Sequence, residues 1–246
     1  GDGGNHPRRC GVFPVMRVAL LLGLLSSLAL AKDRVTTARE HQAEPLKKQF
    51  ADAGLTYPPD ELYLRAFKEE KELEVWSGPR GKPLTLIKRY PICAASGELG
   101  PKREEGDLQV PEGFYEIKSF NPTSSFHLSM EVTYPNPSDR ILGTKGRLGG
   151  LIYLHGNCAS IGCIAITDGP VEEVYLMATD ARLRRLPIHI FPRRLDEAGL
   201  KGLEQSPHFA FWKQLQLGYA AFEKSRRPPV AKIDAKTGAY LVASPP

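Results

Sequence analysis

The chain has 246 residues, of which 41% are hydrophobic and 25% charged, a composition typical of folded globular proteins that excludes wholesale disorder. Its formal net charge of +5 at pH 7 comes from 33 basic and 28 acidic residues that are interspersed along the sequence. Because no basic stripe with interleaved aromatic residues is present, we expect no nucleic-acid partner.

The N-terminal residues 1–31 have the organisation of an export signal. Arg17 precedes an apolar run over residues 18–30, which ends in the small-x-small sequence Ala29-Leu30-Ala31. This run is shorter than the roughly 20 residues of a membrane-spanning helix, although an uncleaved anchor stays open as an alternative. We therefore predict upstream residues and a signal peptide over 1–31, no transmembrane anchor after cleavage, and a periplasmic location.

Residues 32–59 are charged and predict an N-terminal leader with one short helix over 46–53, which Tyr57-Pro58-Pro59 would end. Apolar residues then alternate on both sides of a charged stretch at 68–72. This alternation predicts a hairpin with one face in solvent, and the segment 84–92 predicts a third strand.

The middle of the chain continues in strands and loops. Residues 97–113 contain Gly, Pro and many charges and predict an exposed loop. Two strands are predicted over 114–120 and 126–134, on either side of a turn at 121–124. A connecting loop over 135–150 then leads to a buried strand over 151–154.

Beyond residue 168 the pattern turns helical and then changes character. Apolar residues at helical spacing predict a helix from Val171 to Ala181, and residues 186–191 return to strand. A C-terminal subdomain over 193–246 is expected to hold an amphipathic helix between Phe211 and Phe222, followed by a short hairpin. The fold class is therefore α+β, mostly β with helices.

The candidate catalytic residues lie in the sequence LHGNCASIGCIAI at 154–166. A cysteine thiolate is the nucleophile of acyl transfer, and a nearby imidazole can take its proton and pass it to a leaving amine. We predict Cys163 as the nucleophile and His155 as the base. Gly162 would let the backbone approach a substrate carbonyl and stabilise an oxyanion, and the Gly156 carbonyl could orient the imidazole.

Three other interpretations remain open from the residues alone. His155, Cys158 and Cys163 could bind zinc with His127 or His189 as a fourth ligand, although their spacing fits no common zinc motif. Alternatively, Cys158 and Cys163 could form a small-loop disulfide. The cysteines could also be ordinary core residues.

The run HGNCASIGC after the strand LIYL resembles the signature of the L,D-transpeptidase catalytic domain family (YkuD-like), a His-Gly followed after a spacer by Ser-x-Gly-Cys. Further stretches resemble the Gram-negative murein-enzyme branch that includes peptidoglycan-lipoprotein amidases: YPICAASGELGPK, PKREEGDLQVPEGFYEI, SSFHLSM and FWKQLQLGYAAFEKSRRPPV. The resemblance covers about residues 61–190 and, more loosely, the tail.

This resemblance implies an L,D-transpeptidase-type β-sandwich core over 60–192 with a C-terminal helical and hairpin appendage. It implies Cys163 as nucleophile, His155 as general base and acid, and Gly156 as the residue whose carbonyl orients the histidine. Candidate substrate contacts are the residues with polar side chains near this motif, namely His127, Asn157 and Ser160. No metal and no cofactor are expected.

The implied partners are peptidoglycan stem peptides, in which Cys163 would attack the diaminopimelate carbonyl and form a thioester. The chain departs from the family pattern in its short His155-to-Cys163 spacing and in Ala165, where many relatives carry arginine. The outcome of the reaction therefore stays open. Transpeptidation in wall cross-linking or remodelling, amidase release of a wall-linked lipoprotein, and a non-catalytic wall-binding module are the alternatives.

The cysteine count provides one further hypothesis. Removal of the segment that carries Cys10 leaves three cysteines, an odd number for an exported protein. In this hypothesis Cys93 and Cys158 could pair as a structural disulfide, which would leave Cys163 as a free thiol; the residues alone do not decide it.

Overall fold

The computed structural model describes residues 33–183 and 185–243, so the predicted signal peptide lies outside the described residues. The elements in chain order are α1 (Arg34–Asp52), β1 (Glu61–Phe67), β2 (Glu72–Gly78), β3 (Thr85–Pro91), β4 (Ala94–Ala95), β5 (Gly113–Ser124), β6 (His127–Val132), α2 (Pro137–Leu142), β7 (Tyr153–His155), β8 (Ile164–Ala165), α3 (Asp168–Asp180), β9 (Pro187–Phe191), α4 (Glu197–Leu200), α5 (Phe209–Ser225), β10 (Val230–Ile233) and β11 (Tyr240–Ala243).

Nine of these strands form one mixed sheet in the order β3-β2-β1-β9-β5-β6-β7-β8-β4, and β10 and β11 form a separate hairpin. The 12-residue strand β5 joins the two halves of the sheet, because its first residues pair with β9 and its later residues pair with β6. A strand shared in this way lets the sheet curl around a core. The structure confirms the predicted α+β class.

Helix α1 is longer than the predicted helix over 46–53. It begins at Arg34 because the Asp33 carboxylate accepts the Thr36 N–H at 3.0 Å and caps the first turn. Its buried face, which includes Leu46 and Phe50, belongs to the same core as α3 and the inner face of the sheet. The prediction of a short helix was wrong because the capping residue lies far upstream of the apolar run.

The hairpin of β1 and β2 has no face in solvent, so that prediction was wrong as well. Helix α5 covers the second face, and its Trp212 and Tyr219 pack in one cluster with Phe67. The charged side chains on this face are paired, with Arg65 donating to Glu74 at 2.6 Å. The alternating pattern is real, but its polar positions form a buried ion pair.

Two further predictions are corrected around β5 and β7. The expected turn at 121–124 is strand, since Asn121 pairs with Ser129 and β5 continues to Ser124. Strand β7 begins two residues later than predicted, and Leu151 is 69% exposed. The loop over 97–113 was expected to be exposed, yet several of its side chains are buried, namely Lys102, Val110 and Glu112.

Predictions beyond residue 168 agree with the structure. Helix α3, strand β9, helix α5 and the terminal hairpin all form close to their predicted positions. Within residues 33–183 and 185–243, no helix has the length and apolarity that crossing a bilayer requires.

Candidate active site

Two short parallel strands bring His155 and the segment after Cys163 side by side. Strand β7 ends at His155, and β8 begins at Ile164, directly after Cys163. Leu154 is the partner of Ile164 in this pair, and His155 is the partner of Ala165. The loop over 156–162 therefore leaves one strand and returns to the next, with the imidazole and the thiol at its two ends.

The His155 imidazole is buried, 1% exposed, and fixed in one tautomer. Its Nδ1 lies 2.6 Å from the Gly156 carbonyl oxygen, which can only accept a hydrogen bond. Nδ1 therefore carries the proton, and Nε2 has the free lone pair of a base. Burial lowers the pKa of His155, against the opposite effect of the Gly156 hydrogen bond, so the ring is neutral near pH 7.

Gly156 has no room for a side chain. A Cβ there would lie 2.6 Å from an Asp168 carboxylate oxygen and 2.9 Å from the Phe126 carbonyl oxygen. The same Asp168 oxygen accepts the Asn157 N–H at 2.7 Å. This close packing fixes the peptide whose carbonyl orients His155, and only glycine is compatible with it.

Cys163 is a free, half-buried thiol. Burial raises its pKa, and a backbone hydrogen bond at Tyr153 and the positive charge of Lys102 act in the opposite direction. The thiol is therefore protonated near neutral pH, beside a neutral imidazole. This pair suits a mechanism in which the base removes the thiol proton when the substrate is bound, and no preformed thiolate is required.

We expect the alkylation rate of Cys163 by iodoacetamide to keep rising with pH above neutrality, with a midpoint above that of a free cysteine, because burial disfavours the thiolate. Stopped-flow or mass-spectrometric rates between pH 6 and 10 measure this midpoint, and the same protein unfolded in urea is the control. A plateau reached below pH 7 would instead indicate a preformed thiolate and imidazolium pair.

Ser160 shapes the turn that precedes the thiol. Its hydroxyl donates to the Cys163 carbonyl oxygen at 2.7 Å and accepts the Gly162 N–H at 3.3 Å. Gly162 has a φ of +116°, a backbone conformation that glycine adopts without strain. These hydrogen bonds favour a positioning role for Ser160 over the predicted substrate contact. The Ser160 hydroxyl also accepts the Gly162 N–H, the donor that was expected to stabilise an oxyanion.

A disulfide ties this loop to the preceding part of the sheet. Cys93 and Cys158 are bonded, with their Cα atoms 5.6 Å apart, so of the alternatives left open by the cysteine count the structure shows this pairing. The alternative disulfide between Cys158 and Cys163 is therefore wrong. The zinc alternative loses Cys158 as a ligand, and its fourth-ligand candidate His189 is buried against the Tyr63 hydroxyl at 2.6 Å.

The other two predicted substrate contacts face away from this chemistry. The Nε2 atom of His127 pairs with Glu172 of α3 at 2.8 Å, and His127 does not line the cavity that holds the thiol. Asn157 adopts a left-handed conformation with φ +57°, and its side-chain oxygen accepts the N–H of Cys158. Asn157 therefore holds the backbone of the loop, and His127 links β6 to α3.

A cavity of about 550 Å³ connects His155 and Cys163. Its mouth is formed by four exposed hydrophobic side chains, here called the apolar rim: Leu108 (52% exposed), Phe126 (41%), Leu151 (69%) and Ile161 (83%). The Phe126 ring stacks on the imidazole of His155 at 4.6 Å between centroids. The cavity therefore has an apolar entrance and a reactive pair inside.

The sequence interpretation missed three residues of this region. Phe126 lies at the hairpin between β5 and β6, Lys102 comes from the loop before β5, and Asp168 begins α3. Lys102 lies in the sequence PKREEGD, which also resembles the family. A lysine between a proline and an acidic segment with a glycine was the only feature that could have indicated a role for it. Phe126 gave no signal of its own.

Comparison with known proteins identifies the family of this chain. The profile of the L,D-transpeptidase catalytic domain (YkuD) matches residues 63–190. An Escherichia coli (strain K12) protein with the name "Putative L,D-transpeptidase YafK" is 34% identical over 206 residues, which cover 82% of this chain and 80% of that protein.

Solved structures give weaker likenesses. A mutant of the helical cell shape determining protein Pgp2 from Campylobacter jejuni is 26% identical with a TM-score of 0.45, and the match covers 55% of this chain and about half, 49%, of that chain. Mycobacterium tuberculosis L,D-transpeptidase 1 is 18% identical with a TM-score of 0.30, covering 53% and 62%. The profile match and the E. coli relative show that this chain belongs to the L,D-transpeptidase catalytic domain family.

Proposed function

We propose that this protein is an exported cysteine acyltransferase that acts on peptidoglycan stem peptides, with its catalytic domain over residues 60–192. The observation that carries the proposal is the fixed His155 tautomer, whose Nδ1 donates to Gly156 in the cavity that also holds the free thiol of Cys163. A neutral base and a protonated nucleophile in one cavity are the two groups that acyl transfer through a thioester requires.

In the proposed reaction, the sulfur of Cys163 attacks the carbonyl carbon at the L-centre of diaminopimelate, and Nε2 of His155 takes the thiol proton. The C–N bond then breaks, and the same proton passes to the leaving amine, which leaves a thioester on Cys163. An acceptor amine or water attacks the thioester, gives its proton to Nε2, and the thiol regains that proton when the product leaves.

The oxyanion formed during each attack needs hydrogen-bond donors that are already in place. We propose that backbone N–H groups of the turn over 160–163 supply them, apart from the Gly162 N–H that Ser160 accepts. Ser160 supports this turn through its hydrogen bonds to Gly162 and Cys163, and Gly156 supports it from the other side by orienting the base.

Export to the periplasm is part of the proposal. The bond between Cys93 and Cys158 supports it, since structural disulfides form in oxidising compartments. The predicted signal peptide over residues 1–31 would direct the chain there.

A second candidate is hydrolysis that releases a wall-linked lipoprotein from diaminopimelate. The apolar rim favours it, because a stem peptide has few apolar groups larger than a methyl, whereas a polypeptide leaving group brings large apolar side chains. Both candidates use the same thioester and differ in the leaving group and the acceptor.

We expect the purified protein without residues 1–31 to convert defined muropeptides into products whose masses identify the reaction. A product in which two muropeptides are joined indicates transpeptidation to an acceptor amine, and a muropeptide with a shortened stem peptide indicates hydrolysis. Release of the polypeptide from a lipoprotein-linked muropeptide indicates amidase activity. If every muropeptide kept its mass under conditions where Cys163 can be alkylated, the enzymatic proposal would be wrong and the non-catalytic wall-binding module would replace it.

A further inference from the structure

The lining of the cavity around Cys163 includes one basic and one acidic residue, Lys102 and Glu105. Both belong to the loop before β5, and the other described lining residues are apolar, glycine, neutral polar or the reactive pair itself. One positive and one negative group in an otherwise apolar cavity form a pattern that favours a ligand with both charges.

Lys102 is built into the wall of the cavity. Its side chain is 7% exposed, and its ammonium donates to the Asp107 carboxylate and, at 2.8 Å, to the Glu104 carbonyl oxygen. An ammonium has three protons, and in the part of the chain that the structure describes the third has no hydrogen-bond acceptor. The ammonium also lies 6.0 Å from the centre of the Tyr134 ring, so an acceptor in the cavity would compete with this cation–π contact for the third proton.

The loop is organised around the same carboxylate that holds Lys102. Asp107 accepts the N–H groups of Arg103 at 2.9 Å, Glu104 at 3.0 Å and Gln109 at 3.0 Å. At its base, the loop is fixed by the buried pair of Lys68 and Glu112 at 3.0 Å. Because an unpaired buried ammonium is costly, the ion pair with Asp107 keeps Lys102 in one position.

Glu105 lies on the same loop, three residues further on, and is exposed. It makes no ion pair with any described residue, and its N–H donates to the Arg147 carbonyl oxygen at 2.7 Å. A Cβ at Gly149 would lie 3.2 Å from the Cβ of Glu105, so the glycine leaves room for this side chain. The carboxylate is therefore free to pair with a ligand at the rim of the cavity.

Position 165, two residues after the nucleophile, holds no charged side chain. Ala165 is fully buried in β8, where it pairs with Ala94. Lys102 reaches the cavity from a different element and places a positive charge near the thiol, as its effect on Cys163 indicates.

We propose that Lys102 and Glu105 determine specificity by binding the free carboxylate and the free ammonium group at the D-centre of diaminopimelate. This inference rests on the proposed function. The D-centre carries both charges on one carbon, and three methylene groups separate it from the L-centre whose carbonyl Cys163 attacks. The apolar side chains of Leu108, Leu151 and Ile152, which line the same cavity, offer a surface for those methylene groups.

The test compares a muropeptide that has a free D-centre carboxylate with one whose D-centre carboxyl is amidated. For the wild type, we expect amidation to lower kcat/KM by roughly ten- to a hundredfold, the effect of losing one charge-assisted hydrogen bond. Lys102→Met should lose a similar factor on the carboxylate substrate and should no longer distinguish the two substrates. Lys102→Arg should restore part of the difference.

Glu105→Gln should lower kcat/KM by several-fold, because its carboxylate is exposed and screened. The controls are the exposed residues Lys145 and Glu204, since Lys145→Met and Glu204→Gln should keep wild-type rates and discrimination. The ratio between two substrates is measured on one protein sample, so a loss of folded protein cannot change it.

Binding to the Cys163→Ala protein separates recognition from chemistry. Calorimetry should show weaker binding of the amidated muropeptide than of the carboxylate form, and a further Lys102→Met change should remove this difference. Equal affinity of Cys163→Ala for the two muropeptides would overturn the inference. Inactivity of the wild type together with preserved discrimination in binding would count against the proposed reaction alone.

Discussion

Cys163→Ala is expected to lower kcat/KM on muropeptides by at least about a thousandfold, because Cys163 is the only free thiol within residues 33–183 and 185–243 and so the group that would form the thioester. The Cys163 side chain is half-buried, and its sulfur makes a long contact of 3.8 Å with the Leu151 carbonyl oxygen. The change therefore removes one sulfur atom without creating a buried charge. Product formation followed by mass measures the loss.

Two controls make this result specific. The melting temperature of Cys163→Ala should stay within a few degrees of the wild type, which shows that the protein still folds. His155→Gln should keep the thiol and still lose about a hundred- to a thousandfold, since it removes the base. The matched change His41→Gln on the exposed face of α1 should have no effect. Normal turnover by Cys163→Ala would exclude a thioester at this residue.

The reactive pair could be predicted from sequence because its parts are close together along the chain. His155, Gly156 and Cys163 lie in a strand, a loop and a strand, so the motif itself determines their proximity. Lys102 and Phe126 could not be placed in the same way. They come from separate loops, and only the pairing of β5 with β6 and β9 brings these loops to the cavity.

The roles of polar side chains were also hard to predict. Ser160 and His127 were interpreted as substrate contacts, yet the Cys163 carbonyl oxygen binds the Ser160 hydroxyl and Glu172 of α3 binds the His127 imidazole. A buried polar group needs a hydrogen-bond partner, and a nearby hydroxyl or imidazole often supplies it. The sequence gives the position of such a side chain but not the group it will bind.

Burial of both faces of β1 and β2 shows the same limit at the scale of the fold. The alternation in these strands predicts one polar face, but α5 arrives from the end of the chain and covers it. Arg65 then pairs with Glu223 of α5 at 2.7 Å as well as with Glu74. Because α5 lies far from β1 and β2 in the sequence, the residue pattern of these strands does not indicate that a helix covers them.

Removal of the disulfide should produce the largest change in stability. The bond closes a loop across 65 positions of sequence, and the entropy of such a closed loop in the unfolded chain corresponds to about 4 kcal/mol. We expect the double variant Cys93→Ser, Cys158→Ser to lose roughly this free energy of unfolding. Its melting temperature should fall by roughly 10 °C, measured by calorimetry or circular dichroism under non-reducing conditions.

The same bond should influence the reaction, because Cys158 lies in the loop between His155 and Cys163. Without it, the loop keeps the contact of Asn157 with Asp168 and the hydrogen bonds of Ser160, so we expect a partial loss of kcat/KM. Reductant should lower the melting temperature of the wild type and leave that of the double variant unchanged. Alkylation of Cys93 and Cys158 shows that the reductant has broken the bond in the wild type. If the melting temperature of this reduced protein equals that of the oxidised protein, the bond does not stabilise the fold. The loop that carries the catalytic residues would then be held by its hydrogen bonds alone.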